Sequence, residues 1–412
     1  MLKGQAGYKL ENTIKRYPWG SLEYLQKLLG AESADEPWAE LWMGVHPAGP
    51  SMIRSGGTAL PLSEADEVRA EKNGVPFLLK FLAAARPLSI QVHPNREQAR
   101  AGWERENAAG LAPDAPERNY RDSNHKPEIL CALSPFIAMA GFRKQTVTAA
   151  FLREFFRRCG KSSGEAEKLR NKLLSAVEEG YAVLLRTLFD LSPDEKALIT
   201  SASSLAAAGS PVTDSISSES VDPFGLCARF AEAYPGDSAV LSPLYLNVIS
   251  LKPREAIYLP AGILHAYVEG FGVECMANSD NVLRGGLSGK HIDQNELFAI
   301  TRFEPFEPPL IFGGEGPPGV YRYRTGAEEF TLYRITSRAS LFEAEEPAIF
   351  AVTGGRVEVK NGAGASLDLR QGESAYLPRR AAGEKLRLEG NFTLFAALDT
   401  AGNGGTSREN SR

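Results

Sequence analysis

The spacing of apolar residues changes twice along the chain and divides it into three regions. Up to about residue 140, short apolar runs alternate with glycine and proline, as in strands joined by turns. Between about residues 145 and 235, apolar residues recur at intervals of three and four, which predicts amphipathic helices. After Leu241, short apolar runs between turn residues return. The pattern therefore predicts a mainly-β chain with an inserted helical region.

Local signals predict where several elements begin and end. Residues 21–29 predict a short helix whose leucines, Leu22 among them, share one face and whose C-cap is Gly30. The apolar stretch 75–92 is broken by Pro87, which favours buried strands and a turn over one helix. Residues 95–107 predict an exposed helix rich in charge.

Further signals lie in the helical region and near the C-terminus. Ser192-Pro-Asp-Glu195 predicts a capping box with proline at the first helical position. The Ser-, Ala- and Thr-rich residues 200–220 are typical of a loop. Alternating Val357 and Val359 before Asn361-Gly362 predict a hairpin.

A short internal sequence repeat indicates that the strands form two copies of one barrel. The pattern Glu-x-x-Tyr-Leu-Pro occurs at Glu255–Pro260 and again at Glu373–Pro378, each time in a strand-rich region. The first copy continues into His265, whereas the second region contains no histidine. Only the first barrel is therefore expected to hold a histidine-ligated metal.

Composition and charge exclude several classes of protein. The 412 residues are 43% hydrophobic and 24% charged, with a net charge of −5 and dispersed basic residues, which argues against nucleic-acid binding. The four cysteines are far apart, so neither a disulfide framework nor a redox pair is expected. The chain lacks a signal-peptide pattern and any run long enough to cross a membrane. A cytoplasmic protein without membrane partners is expected.

The few histidines point to a metal site. Gln91 and His93 are two apart on an extended segment and can face the same side. With Glu128 and His265 they offer an amide, two imidazoles and a carboxylate, a set that suits zinc or another divalent metal. Each residue also has a plain alternative: a turn at His93, a strand-start carboxylate at Glu128 and a core histidine at His265.

These residues belong to a set of motifs that lie between residue 12 and about residue 293. The motifs are Tyr17-Pro-Trp-Gly20, Glu40-Leu-Trp-Met-Gly-Val-His46-Pro47, Phe77-Leu-Leu-Lys80, Leu88-Ser-Ile-Gln-Val-His-Pro94, Tyr120-Arg-Asp-Ser-Asn-His-Lys-Pro-Glu128, Gly262-Ile-Leu-His-Ala-Tyr267, residues 276–287 and Lys290-His-Ile-Asp293. In composition and order this set resembles the type I phosphomannose isomerases, a zinc-dependent cupin family. One departure is Pro18, where the family commonly has aspartate, so a carboxylate contact is lost there.

The resemblance implies the fold, the reaction and the roles of particular residues. It implies tandem cupin (jelly-roll) barrels, one zinc per chain, and interconversion of mannose 6-phosphate and fructose 6-phosphate through a cis-enediol. It implies that Gln91, His93, Glu128 and His265 ligate the zinc and that Arg284 is catalytic. A solvent-facing Arg284 in a glycine-rich loop is the alternative.

The sequence offers several candidates for the proton-transferring group and for the residues that contact the sugar phosphate. Four residues of the matching motifs are candidates for the proton transfer, and the sequence does not rank them: Lys126, His125, Asp280 and Glu274. Four others are expected to bind the substrate, the first two at its phosphate: Ser89, Lys290, Trp19 and Tyr267. Core packing is the alternative for the two aromatic residues. His46 and His291 are expected to be structural or to support the site.

The expected organisation is a catalytic barrel of residues 1–140 and 236–305, a helical insertion of residues 141–235, a C-terminal barrel of residues 306–400 and a disordered tail of residues 401–412. The protein is expected to be a monomer that binds a small sugar phosphate. Two other functions stay open: a cupin oxygenase that uses iron, and a non-catalytic sugar-phosphate-binding protein.

Overall fold

The computed structural model describes residues 6–32, 35–55, 57–71, 74–160, 164–208 and 221–400. Within these ranges the strands are β1 Tyr8–Lys9, β2 Thr13–Lys15, β3 Glu40–Met43, β4 Met52–Ser55, β5 Thr58–Pro61, β6 Phe77–Ala84, β7 Ile90–Val92, β8 Glu128–Ala132, β9 Phe136–Phe142, β10 Leu246–Leu251, β11 Glu255–Leu259, β12 His265–Ala277, β13 Leu283–Gly286, β14 Leu310–Phe312, β15 Gly314–Glu315, β16 Val320–Tyr323, β17 Phe330–Thr336, β18 Leu341–Glu343, β19 Ala348–Lys360, β20 Ser366–Arg370, β21 Ser374–Leu377 and β22 Lys385–Asp399. The helices are α1 Tyr24–Leu29, α2 Asp66–Arg69, α3 Arg96–Ala108, α4 Gln145–Arg158, α5 Gly164–Glu179, α6 Tyr181–Phe189, α7 Pro193–Ala207, α8 Pro223–Ala233, α9 Ser242–Tyr245 and α10 Gln294–Ile300. Among the described residues, no helix has both the length and the apolarity needed to cross a bilayer.

The first barrel is built around the long strand β12. Its C-terminal part pairs with β6 and β8 in a sheet of order β14-β11-β8-β12-β6-β3-β2, and its N-terminal part pairs with β7 and β9. The strand changes sheets at Gly270, which has φ 133°, and a Cβ there would lie 2.5 Å from a ring carbon of Phe136. Glycine thus makes the corner that closes the barrel.

The second barrel repeats this construction. Its long strands β19 and β22 pair with each other over almost their whole length, with a register shift between Val352 and Gly354. Past that shift β19 exchanges its partner β21 for β20, and β22 pairs with β17 at one end and β18 at the other. The expectation of a mainly-β fold with two barrels and inserted helices is therefore confirmed.

Two apolar cores join these parts. One lies between the barrels, where the outward-facing residues of β6 and β12 pack against β17, β19 and β22 of the second barrel. The other lies between helices α4 to α8 and the sheet formed by β7, β9 and the start of β12. Consequently the strands that carry the site are supported from two sides.

The predicted domain boundaries stay a prediction, and two short strands cross them. β1, at the start of the chain, pairs with β21 of the second barrel. β14 follows residue 305 but pairs with β11 of the first barrel. The predicted tail, residues 401–412, lies outside the described residues.

Most local predictions are confirmed. Gly30 ends α1 in the left-handed conformation at φ 64°, β6 and β7 occupy the stretch 75–92, and α3 begins after Asn95. Leu22 is an exception: the helix begins only at Tyr24, and Leu22 is 51% exposed.

The loop predicted over residues 200–220 is partly wrong. Helix α7 continues to Ala207, because its small residues Ala202, Ser203 and Ala206 are buried. Ala202 and Ala206 belong to the core that the neighbouring helices share. Residues 209–220 lie outside the described residues. All four cysteines are buried.

Candidate metal centre

Three of the four predicted metal ligands meet inside the first barrel. His93 follows β7, Glu128 is the first residue of β8 and His265 is the first residue of β12. Each offers one ligand atom, and these atoms lie within 4.8 Å of one another. All three side chains are at most 2% exposed. Residues from three distant parts of the sequence thus form one buried cluster.

The hydrogen bonds of the two imidazoles leave the inner nitrogens free. His93 Nδ1 is 2.7 Å from the carbonyl oxygen of Asn281, and His265 Nδ1 is 2.9 Å from that of Ile263. Since a carbonyl only accepts, each ring carries its proton on Nδ1, and Nε2 presents a lone pair. These Nε2 atoms lie 3.5 and 3.4 Å from the two oxygens of Glu128.

These inner atoms fit a divalent metal. Both Nε2 atoms and Glu128 Oε2 are buried without a hydrogen-bond partner among the described residues, an arrangement that proteins avoid unless something else satisfies the atoms. Burial lowers the pKa of His93 to about 4, so the ring is neutral. Burial would raise the pKa of Glu128, but the ammonium group of Lys126 holds it well below its usual value. Neutral imidazoles and an ionised carboxylate are the forms that bind zinc.

Gln91, the fourth predicted ligand, lies beside this cluster. On β7 it is directly opposite both His265 of β12 and Arg284 of β13. Its side chain is partly exposed. Cross-strand neighbours of this kind have Cβ atoms about 5 Å apart. Gln91 as a ligand stays a prediction, with a position that suits it.

A lysine lies next to the candidate ligands. Lys126 Nζ is 3.1 Å from Glu128 Oε1, and its side chain is 10% exposed. Lys126 is therefore not a surface lysine. The ammonium group and the two imidazoles surround one carboxylate.

A second buried lysine, Lys80, is not among the site residues predicted from the sequence. On β6 its Nζ is 2.8 Å from Glu274 Oε2 and 3.5 Å from Glu40 Oε1. Burial alone would lower the pKa of Lys80, but the carboxylates of Glu274, Glu40 and Glu128 raise it well above its usual value. Glu274 therefore faces the barrel interior, as the counter-ion of a charged lysine. The motif Phe77-Leu-Leu-Lys80 was the available signal.

The loop after β12 is held by Asn281, another residue that the sequence did not single out. Its side-chain oxygen accepts from the backbone N–H of Arg121 at 2.7 Å, and its amide donates to the carbonyls of Asp122 and Asn124, each at 2.8 Å. The backbone carbonyl of Asn281 accepts the hydrogen bond from His93 Nδ1–H. One buried residue thus fixes both the segment 121–124 and a candidate ligand.

Asp280 and His125, two candidates for the proton transfer, have ionic partners. Asp280 Oδ1 is 3.3 Å from His46 Nε2, and its side chain is 44% exposed. Burial opposes ionisation, but His46, Lys126 and Arg121 hold the pKa of Asp280 below its usual value. His125 Nε2 is 2.6 Å from Glu329 of the second barrel.

Cations border the site on the side of β13. Arg284 is partly buried, and Lys290 is exposed at the surface. Burial and the nearby charge of Arg121 lower the pKa of Arg284. Burial and the charges of Arg284 and Arg121 lower the pKa of Lys290. No carboxylate partner within ion-pair distance is found for Arg121, Arg284 or Lys290 in the described part of the chain. Mutually repelling cations without a partner can receive an anion.

The remaining predicted residues differ in exposure. Tyr267 is 1% exposed and lies edge-on to Phe136. Trp19 stacks on Tyr17 and is partly exposed, as is Ser89. His46 is buried, whereas His291 is exposed, and neither is part of the cluster of His93, Glu128 and His265.

Comparison with known proteins gives the relationship of the chain. A model of the phosphomannose isomerase type I catalytic domain matches residues 8–145. The mannose-6-phosphate isomerase of Escherichia coli K12 is 35% identical over 388 residues, which are 90% of this chain and 94% of the relative. The human mannose-6-phosphate isomerase is 32% identical over 320 residues, 72% of this chain and 73% of the relative.

Solved structures agree over a larger part of the chain. A mannose 6-phosphate isomerase with bound zinc superposes with a TM-score of 0.82 at 32% identity, covering 96% of this chain and all of the other. The Salmonella typhimurium enzyme bound to fructose 6-phosphate and zinc superposes with a TM-score of 0.81 at 32% identity and the same coverage. The chain belongs to the type I phosphomannose isomerase family.

Proposed function

We propose that the protein interconverts mannose 6-phosphate and fructose 6-phosphate with one bound zinc ion. The observation that carries the proposal is the convergence of three buried, unpartnered ligand atoms from His93, Glu128 and His265. Membership of the family supplies the reaction, since its relatives are mannose-6-phosphate isomerases. An iron oxygenase or a non-catalytic binding protein is not favoured by this family.

His93, Glu128 and His265, with Gln91 beside them, would hold the zinc. Bound there, the ion would act as a Lewis acid toward the oxygens on C1 and C2 of the open-chain sugar. The Nδ1 hydrogen bonds of the two histidines keep their Nε2 atoms turned inward. The site residues therefore have their orientation before substrate arrives.

The isomerisation needs a group that moves a proton between two carbons. A base removes the proton from C2 of mannose 6-phosphate while O1 gains a proton, which gives the cis-enediol. C1 then receives a proton while the O2 hydroxyl loses its proton and the carbonyl forms at C2. Lys126 is our preferred carrier because its Nζ lies 3.1 Å from Glu128 and its side chain is 10% exposed. Asp280 is the alternative, since it is half-exposed beside His46. Glu274 and His125 rank below Lys126 because their ionic partners, Lys80 and Glu329, are not candidate zinc ligands, whereas the partner of Lys126 is.

Arg284, Lys290 and Ser89 are proposed to receive the anionic parts of the substrate. Arg284 is opposite Gln91 in the sheet, so its guanidinium can approach the enediolate oxygens. Lys290 follows the same glycine-rich loop and, with Ser89, would bind the phosphate. Trp19 and Tyr267 would line the sugar pocket. We also propose that the protein acts in the cytoplasm as a monomer, without nucleic-acid or membrane partners.

A coupled assay of mannose 6-phosphate conversion tests the function. Activity should be present in the zinc-loaded protein, disappear on chelation and return when zinc is restored. An inactive zinc-loaded protein, or activity indifferent to chelation, would refute the proposal.

Glu128→Ala tests the metal site separately. The variant should lose zinc and activity, because one charged ligand of the cluster is gone. Zinc content is measured by atomic absorption after dialysis. The control is Glu343→Ala, which makes the same substitution at an exposed carboxylate of the second barrel. Full zinc occupancy in Glu128→Ala would remove Glu128 from the ligand set.

A further inference from the structure

One carboxylate of the second barrel contacts both chain segments that lead to candidate zinc ligands. Glu329 Oε1, just before β17, is 2.6 Å from His125 Nε2 and 2.7 Å from an Arg96 side-chain nitrogen. Arg96 comes three residues after His93, and His125 comes three residues before Glu128. The side chains of Glu329 and His125 are only 13% and 21% exposed. The second barrel, which carries no histidine of its own, thus reaches the site.

The donors and acceptors of this cluster can be assigned. The guanidinium of Arg96 only donates, so it cannot share a hydrogen bond with a protonated nitrogen of His125, although the two are 3.0 Å apart. Burial opposes ionisation of Glu329, but His125 and Arg96 hold its pKa below the usual value. An ionised Glu329 requires the proton on His125 Nε2. Both Arg96 and His125 therefore donate to the same oxygen.

Glu329 is itself held firmly. Thr400 Oγ1 donates to the carbonyl of Glu328 at 2.9 Å, and the Thr400 N–H lies 3.3 Å from the carbonyl of Glu329. The next residue, Phe330, pairs with Asp399 and is fully buried in the core between the barrels. The carboxylate therefore projects from a rigid edge of the second barrel.

We propose that Glu329 is a positioning residue that holds the segments leading to His93 and Glu128 in register. His125 immediately precedes Lys126, whose Nζ is 3.1 Å from Glu128 Oε1. Moving His125 would therefore move the proposed proton carrier. Arg96 begins α3 directly after the segment that carries His93. A site held from outside its own barrel gains the accuracy that isomerisation requires.

The test compares Glu329→Ala, Glu329→Gln and a matched control, Glu328→Ala. Glu328 is 78% exposed and contacts Arg96 at 3.3 Å, so its removal deletes one carboxylate of the same cluster without touching His125. The kinetic part of the test rests on the proposed function and uses mannose 6-phosphate. Zinc content and melting temperature are measured for every variant. Hydrogen–deuterium exchange follows the backbone amides of residues 121–128.

Glu329→Ala should lower kcat about tenfold with a much smaller change in KM, since a misplaced catalytic group acts mainly on the chemical step. Its amides at residues 121–128 should exchange faster while zinc content stays at the wild-type level. Glu329→Gln, whose amide oxygen still accepts from Nε2–H, should recover a substantial part of kcat. Glu328→Ala should match the wild type in both measurements.

Wild-type kcat and exchange in Glu329→Ala would overturn the proposal, as would an equal loss in Glu328→Ala. A loss of kcat only in proportion to a loss of folded protein would also overturn it, because the role would then be structural. A wild-type protein without isomerase activity would refute the proposed function instead. The exchange measurement would then decide alone whether Glu329 positions residues 121–128.

Discussion

Lys80 is a buried positive charge that two carboxylates stabilise. It is buried together with Glu274 and Glu40, and a buried charge that loses its partner is strongly destabilising. Lys80→Met should therefore lower the free energy of unfolding by about 3–5 kcal/mol. Urea denaturation measures this loss.

The control for this prediction is the double variant Lys80→Met/Glu274→Gln. Removing the stranded charge should restore a large part of the lost stability, because the glutamine is neutral. A double variant less stable than Lys80→Met would show that Glu274 is stabilised by something other than Lys80.

Asn281 offers a second test at a single residue. Aspartate has the same shape but cannot donate to the carbonyls of Asp122 and Asn124, and it adds a negative charge beside Asp122. Asn281→Asp should cost about 2 kcal/mol or more through the buried groups left unpaired. Zinc should also dissociate faster, since the Asn281 carbonyl orients His93. The exposed Asn124→Asp is the control, and equal effects in both variants would argue against the specific role of Asn281.

The residues that could be predicted from the sequence are those whose chemistry is visible without a partner. His93, Glu128 and His265 belong to residue types that bind metals, and each follows or begins an apolar strand. The role of Lys80 depends on Glu274, 194 positions away, and that of His125 on Glu329, 204 positions away. Neither the spacing nor the composition of the sequence indicates these pairs, because only the fold brings the two members of each pair together.

At the scale of elements, the confirmed predictions rest on local hydrogen bonds. The Ser192 hydroxyl accepts from the N–H of Glu195, whose carboxylate accepts from the N–H of Ser192 at 2.8 Å, as the capping-box pattern requires. The hairpin predicted at Asn361-Gly362 also forms between β19 and β20, but its loop spans residues 361–365. The positive φ lies at Gly364 and not at Gly362, so the signal predicts the hairpin without fixing the turn.

The capping box of α7 should contribute stability in a pH-dependent way. Burial raises the pKa of Glu195, but Lys172 and the Ser192 N–H together outweigh burial and hold the pKa below its usual value. A carboxyl whose pKa is lower in the folded state stabilises it above the unfolded pKa, about 4.3, and loses that contribution as the pH falls. Glu195→Ala should therefore cost about 1 kcal/mol at pH 7.

Chemical denaturation at two pH values measures this effect. The difference between wild type and Glu195→Ala should shrink when the pH falls below about 4. Asp194→Ala, in the same helical turn, is the control for the general effect of negative charge at a helix start. A difference that does not change with pH would show that the carboxylate charge contributes nothing.

At the scale of the whole molecule, the two barrels differ in chemistry but share a core. The candidate ligands come from the first barrel, yet the outer faces of their strands pack against the second. Glu329 adds a polar contact at the edge of this interface. The internal sequence repeat indicated two barrels, but it carried no information about which faces would meet. The second barrel therefore supports the strands of the site in addition to its own fold.

Since the core is shared, the barrels should unfold together and release zinc in the same transition. Phe395 of β22 is fully buried in the interface core, and Phe395→Ala should cost about 3–5 kcal/mol. On heating, the unfolding curve measured by circular dichroism and the zinc-release curve measured with a chromogenic chelator should both shift to lower temperature, by the same amount. Phe312→Ala, at a site 63% exposed, makes the same substitution and should change stability by less than about 0.5 kcal/mol. If Phe395→Ala lowered the melting temperature of the second barrel but left the zinc-release curve in place, the barrels would be independent, and the first would not need the second to hold its metal.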